Sequence, residues 1–344
     1  MDVLKFIFRW IARISLPAAT RNWIRDSRET IRWHFAPSPK GSKSLGLVST
    51  QFYPAGIHFQ TVVEEVARKK LRNLEIGKGT ALVSLGSCFA EEFAREFQRR
   101  GYKYIVNETV PYQSCAIASA NWGRVYTAAN FHQIVEYSFD SSFPLYIQKN
   151  DSGYYDLTRE RSVGHFETEE AAALAIKSHR VASKKTFQGA EVLVFTLGQN
   201  EAWVNSDTGL IYAEAARRDG QVSMSETVRP ISFSITENLD FISKAIIKLL
   251  VNNPKLKIIL TLSPVPAYAI FNDTDAVSAS FLSKCSLRVV IDQVLKRFPD
   301  NIYYFPSFEI VLGINRDALC ADNRHVRSTR VKMIFDSFFS SIAT

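Results

Sequence analysis

With 344 residues, 46% of them hydrophobic, the chain can bury one large α/β core or two modest ones, and it is not a disordered tail. The formal charge of +8 is concentrated at one end, where residues 1–50 hold nine Lys/Arg against three Asp/Glu, so the remainder is nearly neutral. A near-neutral body with one basic arm excludes the broad basic face or groove with which nucleic-acid binders track phosphate.

At the N-terminus Val3, Phe6, Ile7, Trp10, Ile11 and Ile14 recur at i, i+3, i+4, i+7, and Pro17 ends the run. Lys5, Arg9 and Arg13 lie off that stripe, and Arg21, Arg25, Arg28 and Arg32 follow beside Trp23 and Trp33. Two readings fit this composition. Residues 1–34 rest on an acidic membrane surface, or they form an amphipathic helix packed on the body with its arginines in solvent. The three early charges interrupt the only candidate secretory signal and any spanning helix, which would need roughly 20 nearly uncharged residues. The expectation is a cytoplasmic protein, peripheral to the inner membrane if the arm binds lipid. Ala36-Pro-Ser-Pro-Lys-Gly-Ser-Lys-Ser44 reads as a linker, which divides the chain into an arm over residues 1–45 and a body over 46–344.

In the body, four short β-prone runs each lead into a polar segment: Thr80 to Leu85, Glu191 to Leu197, Lys257 to Leu262 and Asn301 to Phe305. Helical spacing follows the first run at Ala90, Phe93, Ala94 and Phe97, until Gly101 stops it. It recurs at Leu239, Ile242, Ala245, Ile246 and Leu249, and again at Leu287, Val290, Ile291, Val294 and Leu295. A last helix covers Val331 to Ile342, with Val331, Ile334, Phe335 and Phe338 inward. Strand alternating with helix predicts a mostly parallel sheet with helices on both faces, a three-layer α/β/α sandwich. Tyr137 to Gly164, rich in Ser, Asp, Tyr and Gly, reads as an excursion able to wall a substrate site.

Leu85-Gly86-Ser87-Cys88-Phe89-Ala90 places a small nucleophile where a strand ends and a helix begins. At that edge of a parallel sheet ligands bind, and the helix start offers unpaired N–H groups and a positive dipole end. The bland alternative for Ser87 is a turn residue acting as N-cap. Asp322-Asn323-Arg324-His325 spaces a carboxylate to orient an imidazole, leaving its other nitrogen as a general base; the alternative is a capping Asp with a surface His. At Gly198-Gln199-Asn200 an Asn amide and the Ser87 N–H can form an oxyanion hole, unless the segment is an ordinary turn. Cys88 competes as nucleophile or fills a buried gap. Glu201 and Glu309 form either an acid–base pair or two loop braces. Lys284 and Arg288 either meet an anionic substrate or solvate their helix. Cys88, Cys115, Cys285 and Cys320 form no metal-ligand cluster with the six histidines, and no cofactor or metal is expected.

Gly86-Ser87-Cys88-Phe89-Ala90 is similar to the motif that names the GSCFA family, which belongs with the SGNH/GDSL-type hydrolases. Further segments resemble that family in order: Asn121-Trp-Gly-Arg-Val-Tyr-Thr-Ala128, Phe195-Thr-Leu-Gly-Gln-Asn-Glu-Ala-Trp203 and Thr261-Leu-Ser-Pro-Val-Pro266. They are followed by Ser283-Lys-Cys-Ser-Leu-Arg288, Tyr304-Phe-Pro-Ser-Phe-Glu309 and Asp322-Asn-Arg-His-Val326. The likeness spans roughly residues 80 to 340, and an ordered set is more specific than any single block. It implies an SGNH-hydrolase-like fold with Ser87 as nucleophile and Asp322 and His325 completing the triad. It also implies Asn200, with Gly198 in its block and Gly123, as oxyanion or substrate-binding groups. Gly-Gln-Asn-Glu stands where the superfamily has Gly-x-Asn-Asp, so Glu201 is expected to buttress the loop. The implied activity is serine-dependent hydrolysis or O-acyl transfer on an acylated carbohydrate of a bacterial surface, or on a small ester. The competing expectation is a catalytically silent glycan-binding or assembly scaffold.

Overall fold

A computed structural model describes residues 20, 26–27, 41–42, 47–48, 59–71, 73–109, 118–150, 152–218, 221–314 and 318–342. The apolar stripe from Val3 to Ile14, its flanking arginines and tryptophans, most of the linker and Cys115 lie outside the described residues. The chain divides into two compact units, Met1–Val66 and Ala67–Thr344. In the first, β1 (Gly41–Ser42) pairs antiparallel with β2 (Leu47–Val48). Helix α1 (Phe59–Leu71) begins in the first unit and ends in the second.

The second unit then runs, in chain order, through β3 (Leu82–Gly86), α2 (Cys88–Arg99), α3 (Ala128–Phe139), β4 (Ile147–Asn150), β5 (Gly153–Asp156) and β6 (His165–Phe166). Next come α4 (Glu169–Gly189), β7 (Val192–Leu197), β8 (Glu201–Asn205), β9 (Arg217–Arg218), β10 (Gln221–Val222) and β11 (Val228–Ser232). The chain closes with α5 (Ile235–Asn252), β12 (Lys257–Leu262), α6 (Ala276–Arg297), β13 (Ile302–Phe305), α7 (Ser307–Ile314) and α8 (Ser328–Ile342).

The central sheet is parallel throughout, in the order β13-β12-β7-β3. Tyr104 extends it beyond β3, where the Leu82 N–H donates to Lys103 O and the Ile105 N–H donates to Leu82 O, both at 2.9 Å. In chain order the strands therefore lie 2-1-3-4-5, and the order reverses between β3 and β7. That switch point leaves a crevice at the carboxyl ends of the two strands, where α/β sheets take their ligands.

The register aligns Val83, Leu193, Ile258 and Ile302 across the sheet, and Leu85, Phe195, Leu260 and Tyr304 form the next row. Both rows face α3, α5 and α6 in the larger core, among Phe131, Ile246 and Leu287. The alternate residues face α2, α7 and α8. There Phe93 meets Phe335 and Phe338 edge-on at 4.8 and 5.1 Å between ring centroids, and Phe305 meets Phe338 at 5.0 Å. Sheet and helices thus form a three-layer α/β/α sandwich.

Two features differ from the sequence expectation. Tyr137 to Gly164 is not one excursion: Tyr137 to Phe139 are the last turn of α3, and the segment then supplies β4 and β5 of the antiparallel sheet β4-β5-β6. Helix α4 and the antiparallel pair β8–β11 carried no sequence prediction. Among the described residues no helix is long and apolar enough to cross a membrane.

Candidate active site

Gly86 ends β3 with φ of 140°, and a Cβ there would lie 2.5 Å from Thr196 O. Only glycine lets the strand pass so close to β7 before turning into α2. Ser87 is the N-cap of α2, its Oγ accepting from the Phe89 N–H at 3.4 Å, and the residue is only 2% exposed. Its own N–H donates to Thr196 O at 3.1 Å. The Cys88 N–H, first of the helix, has no partner among the described residues.

Asp322 and His325 form the expected pair. Asp322 Oδ1 accepts from the N–H groups of Arg324 and His325 at 3.0 and 3.1 Å, and Oδ2 lies 2.5 Å from His325 Nδ1. Those two backbone donors and the imidazole pull the Asp322 carboxyl down to about 2. Asn323, at φ 56°, makes the tight bend, while the Leu319↔Val326 bridge and the Cys320 N–H on His325 O pin the loop. With the proton on Nδ1 shared with Asp322, Nε2 of a neutral ring is left as an acceptor. The ring is open to solvent, its side chain 60% exposed.

Ser87 and His325 line one cavity of about 490 Å³ at the switch point. No hydrogen bond joins the two side chains. Tyr126, Trp203, Tyr212, Tyr268 and Phe271 supply an aromatic lining, and Arg124, Glu160 and Gln199 supply polar groups. Burial disfavours the Arg124 charge, yet Glu91 and Glu160 outweigh that and hold the guanidinium above its ordinary value. Burial pushes the Glu160 carboxyl up, although it accepts the Arg124 N–H at 2.8 Å. Burial also raises the Cys88 thiol, so this neighbour of Ser87 holds its proton more tightly than a free cysteine. Arg324 lies over the Tyr268 ring at 4.8 Å.

The expected oxyanion groups are committed elsewhere. Asn200 gives its N–H to Ser283 Oγ at 2.9 Å and its Nδ2 to Phe233 O at 3.3 Å, on the side of the loop away from the cavity lining. The Gly198 N–H donates to Tyr126 O at 2.9 Å, and the Gln199 N–H shares that acceptor at 3.0 Å. Gly123 adopts φ of 70° against Glu160 and does not line the cavity. Gln199, one residue before Asn200, lines the cavity, and its side-chain amide carries no hydrogen bond among the described residues. The Gly-Gln-Asn-Glu spelling contains that residue, but not which of the two adjacent residues lines the cavity.

Both glutamates are braces. Glu201 accepts from the N–H groups of Phe271 and Asn272 at 3.0 and 3.3 Å and from Asn272 Nδ2. Glu309 accepts from Tyr304 Oη at 2.6 Å and Arg288 Nε at 2.8 Å. Arg288 is therefore bound within the fold. Lys284 is 4% exposed and donates to Gly198 O, so neither substrate contact nor solvation describes it. Among the described residues no three His, Cys, Asp or Glu side chains gather as a metal site.

Solved structures resemble the chain distantly. A carbohydrate esterase of family 3 from Talaromyces cellulolyticus shares 10% identity over 75% of this chain and 93% of its own, with a TM-score of 0.36. An acetyl esterase variant with acetate ion shows the same identity and coverages, with a TM-score of 0.35. No curated protein matches the sequence. The GSCFA family model matches residues 81–338, which hold the parallel sheet, Ser87 and the Asp322–His325 loop, and the chain belongs to the GSCFA family.

Proposed function

We propose that this protein is a serine-dependent acyl-ester hydrolase or O-acyltransferase of SGNH type. Ser87 is its nucleophile, His325 its general base and Asp322 the group that orients the imidazole. The observation that carries the reading is that an N-capping serine at the sheet's switch point and an Asp–His pair line the same cavity. In the reaction, Ser87 Oγ bonds to the acyl carbon as His325 Nε2 takes the hydroxyl proton. The alcohol leaves with that proton, and water or a sugar hydroxyl then releases the acyl group. The free Cys88 N–H and the Gln199 amide are the available oxyanion donors, each worth about 2.7 to 4 kcal/mol in such a site. The aromatic lining beside Glu160 and Arg124 suits an acylated carbohydrate, whose ring faces stack on aromatic side chains while its hydroxyls seek charged partners.

One observation favours the rival, a silent glycan-binding scaffold: Ser87 Oγ is held on the Phe89 N–H and has no bond to His325. Fluorophosphonate labelling of the native protein decides between them. The serine reading expects one label on the Ser87 peptide, absent in Ser87→Ala. No label on wild type, or equal labelling of the variant, overturns the serine reading.

A further inference from the structure

Beside the Gly198–Glu201 loop, which also lines the Ser87 cavity, lies a small pocket of about 10 Å³ lined by Lys284, Ser283 and Ser280 of α6. Three contacts from two successive turns tie the helix to the loops of the site. The Ser280 Oγ accepts from the Ala267 N–H at 3.2 Å, the Ser283 Oγ accepts from the Asn200 N–H, and the Lys284 ammonium donates to Gly198 O. Gly198 is packed directly on the nucleophile, since a Cβ on it would stand 3.4 Å from Ser87 Cβ.

Lys284 is thus a cation taken out of water with one carbonyl as its hydrogen-bond partner and no carboxylate in ion-pair range among the described residues. Glu201 shares the small pocket, but its carboxylate is held by Phe271 and Asn272. From α2 the Cys88 thiol lies within electrostatic range of the ammonium, and Arg124 and Glu91 act on that thiol as well. A buried, unpaired charge costs several kcal/mol, and an apolar side chain of similar volume would anchor α6 at lower cost. A fold has no use for such a charge, whereas a site in which negative charge develops does.

We propose that Lys284 is the electrostatic support of the Ser87 turn: its buried ammonium, acting through the Gly198 carbonyl, stabilises the negative charge that forms at Ser87 without touching substrate. The proposal rests on the serine reading above. It makes Lys284 a positioning residue and α6 part of the reaction's machinery. Burial lowers the ammonium to about 7, so its charge is lost as pH rises through neutrality. That loss of charge gives the labelling rate an alkaline limb, which belongs to Lys284.

The test measures the rate of fluorophosphonate labelling from pH 5.5 to 9.5 in wild type, Lys284→Met, Lys284→Gln and Ser87→Ala. Expected are an unchanged or higher Tm for Lys284→Met and labelling slowed about tenfold or more in both lysine variants at pH 6.5. The alkaline limb should vanish in both. Lysine variants that label like wild type across the range overturn the proposal and leave the serine reading standing. Slower labelling with an unaltered profile also overturns it, since that is what loop support alone would give. A wild type that takes no label, or a Ser87→Ala that labels equally, overturns both readings.

Discussion

At the scale of single residues, the parts of the site legible in the sequence were those fixed by local spacing. Ser87 caps α2 because a strand ends at Gly86 and a helix begins at Cys88. Asp322 reaches His325 because three residues of loop bring them together. The oxyanion donors were illegible for a physical reason. Gln199 and Asn200 are adjacent, and which of the two lines the cavity depends on the phase of the loop. That phase is set by partners distant in sequence: Tyr126 O takes the Gly198 and Gln199 N–H groups, and Ser283 Oγ takes the Asn200 N–H. The assignment predicts a separation of effects. Gln199→Ala should lower ester turnover by about 10²- to 10³-fold with an unchanged Tm. Asn200→Ala should cost about 0.5–1.5 kcal/mol of stability through the lost bond to Phe233 O, with turnover within a few fold of wild type. Parallel steady-state kinetics and urea unfolding of the two variants check this. The reverse pattern would return the donor role to Asn200.

At the scale of elements, the strands that build the sheet were readable because nearly every residue in them is buried. β3, β7, β12 and β13 are short continuous apolar runs, as strands covered on both faces must be. Helices α5, α6 and α8 showed their inner faces by period, with Ile242 and Leu249, Leu287 and Val294, and Ile334 and Phe338 all buried. Helix α3 left no such trace, because Asn130, Gln133 and Ser138 are buried with its apolar residues and no polar face stands out. Helix α4 presents His179, Arg180, Ser183 and Thr186 inward, so its buried side reads as polar in sequence. The joint between β3 and α2 carries the sharpest prediction at this scale. A methyl at Gly86 would strike Thr196 O at 2.5 Å and Thr196 N at 2.7 Å while demanding a φ that L-residues avoid. Gly86→Ala should therefore cost about 1–3 kcal/mol in strain, and more where β3 and β7 are forced apart. A denaturation midpoint equal to wild type would show that the joint yields cheaply.

At the scale of the whole molecule, the layer formed by α4 and the β4-β5-β6 sheet is joined to the body through a buried polar network centred on His179. Its Nδ1 lies 2.5 Å from Glu108 Oε2, and its Nε2 lies 3.0 Å from Tyr137 Oη. Glu108 also accepts the Asn121 N–H at 2.9 Å and faces Arg159, which donates to Asp156 at 2.7 Å. The network thereby holds the segment that leads to Arg124 and the turn that carries Glu160, both in the cavity wall. Burial, with Arg159 beside it, holds the His179 imidazole below its ordinary value, and burial does the same to His132. The unfolded chain therefore binds these protons first as pH falls. Stability is full above ~6.5 and declines from there toward the depressed native values. Glu108 is also shifted down, by a different cause: burial disfavours its charge, but His179 and the Asn121 N–H outweigh burial, so its own contribution fades only below ~4.3. Between those limits the histidines dominate the slope. His179→Gln keeps a donor and an acceptor in the network but cannot titrate. Urea unfolding between pH 5 and 8 should show the variant less stable than wild type at pH 8, and flatter below ~6.5 by up to about 1.4 kcal/mol per pH unit. Parallel slopes for the two proteins would remove His179 from the acid response and leave His132 as its source.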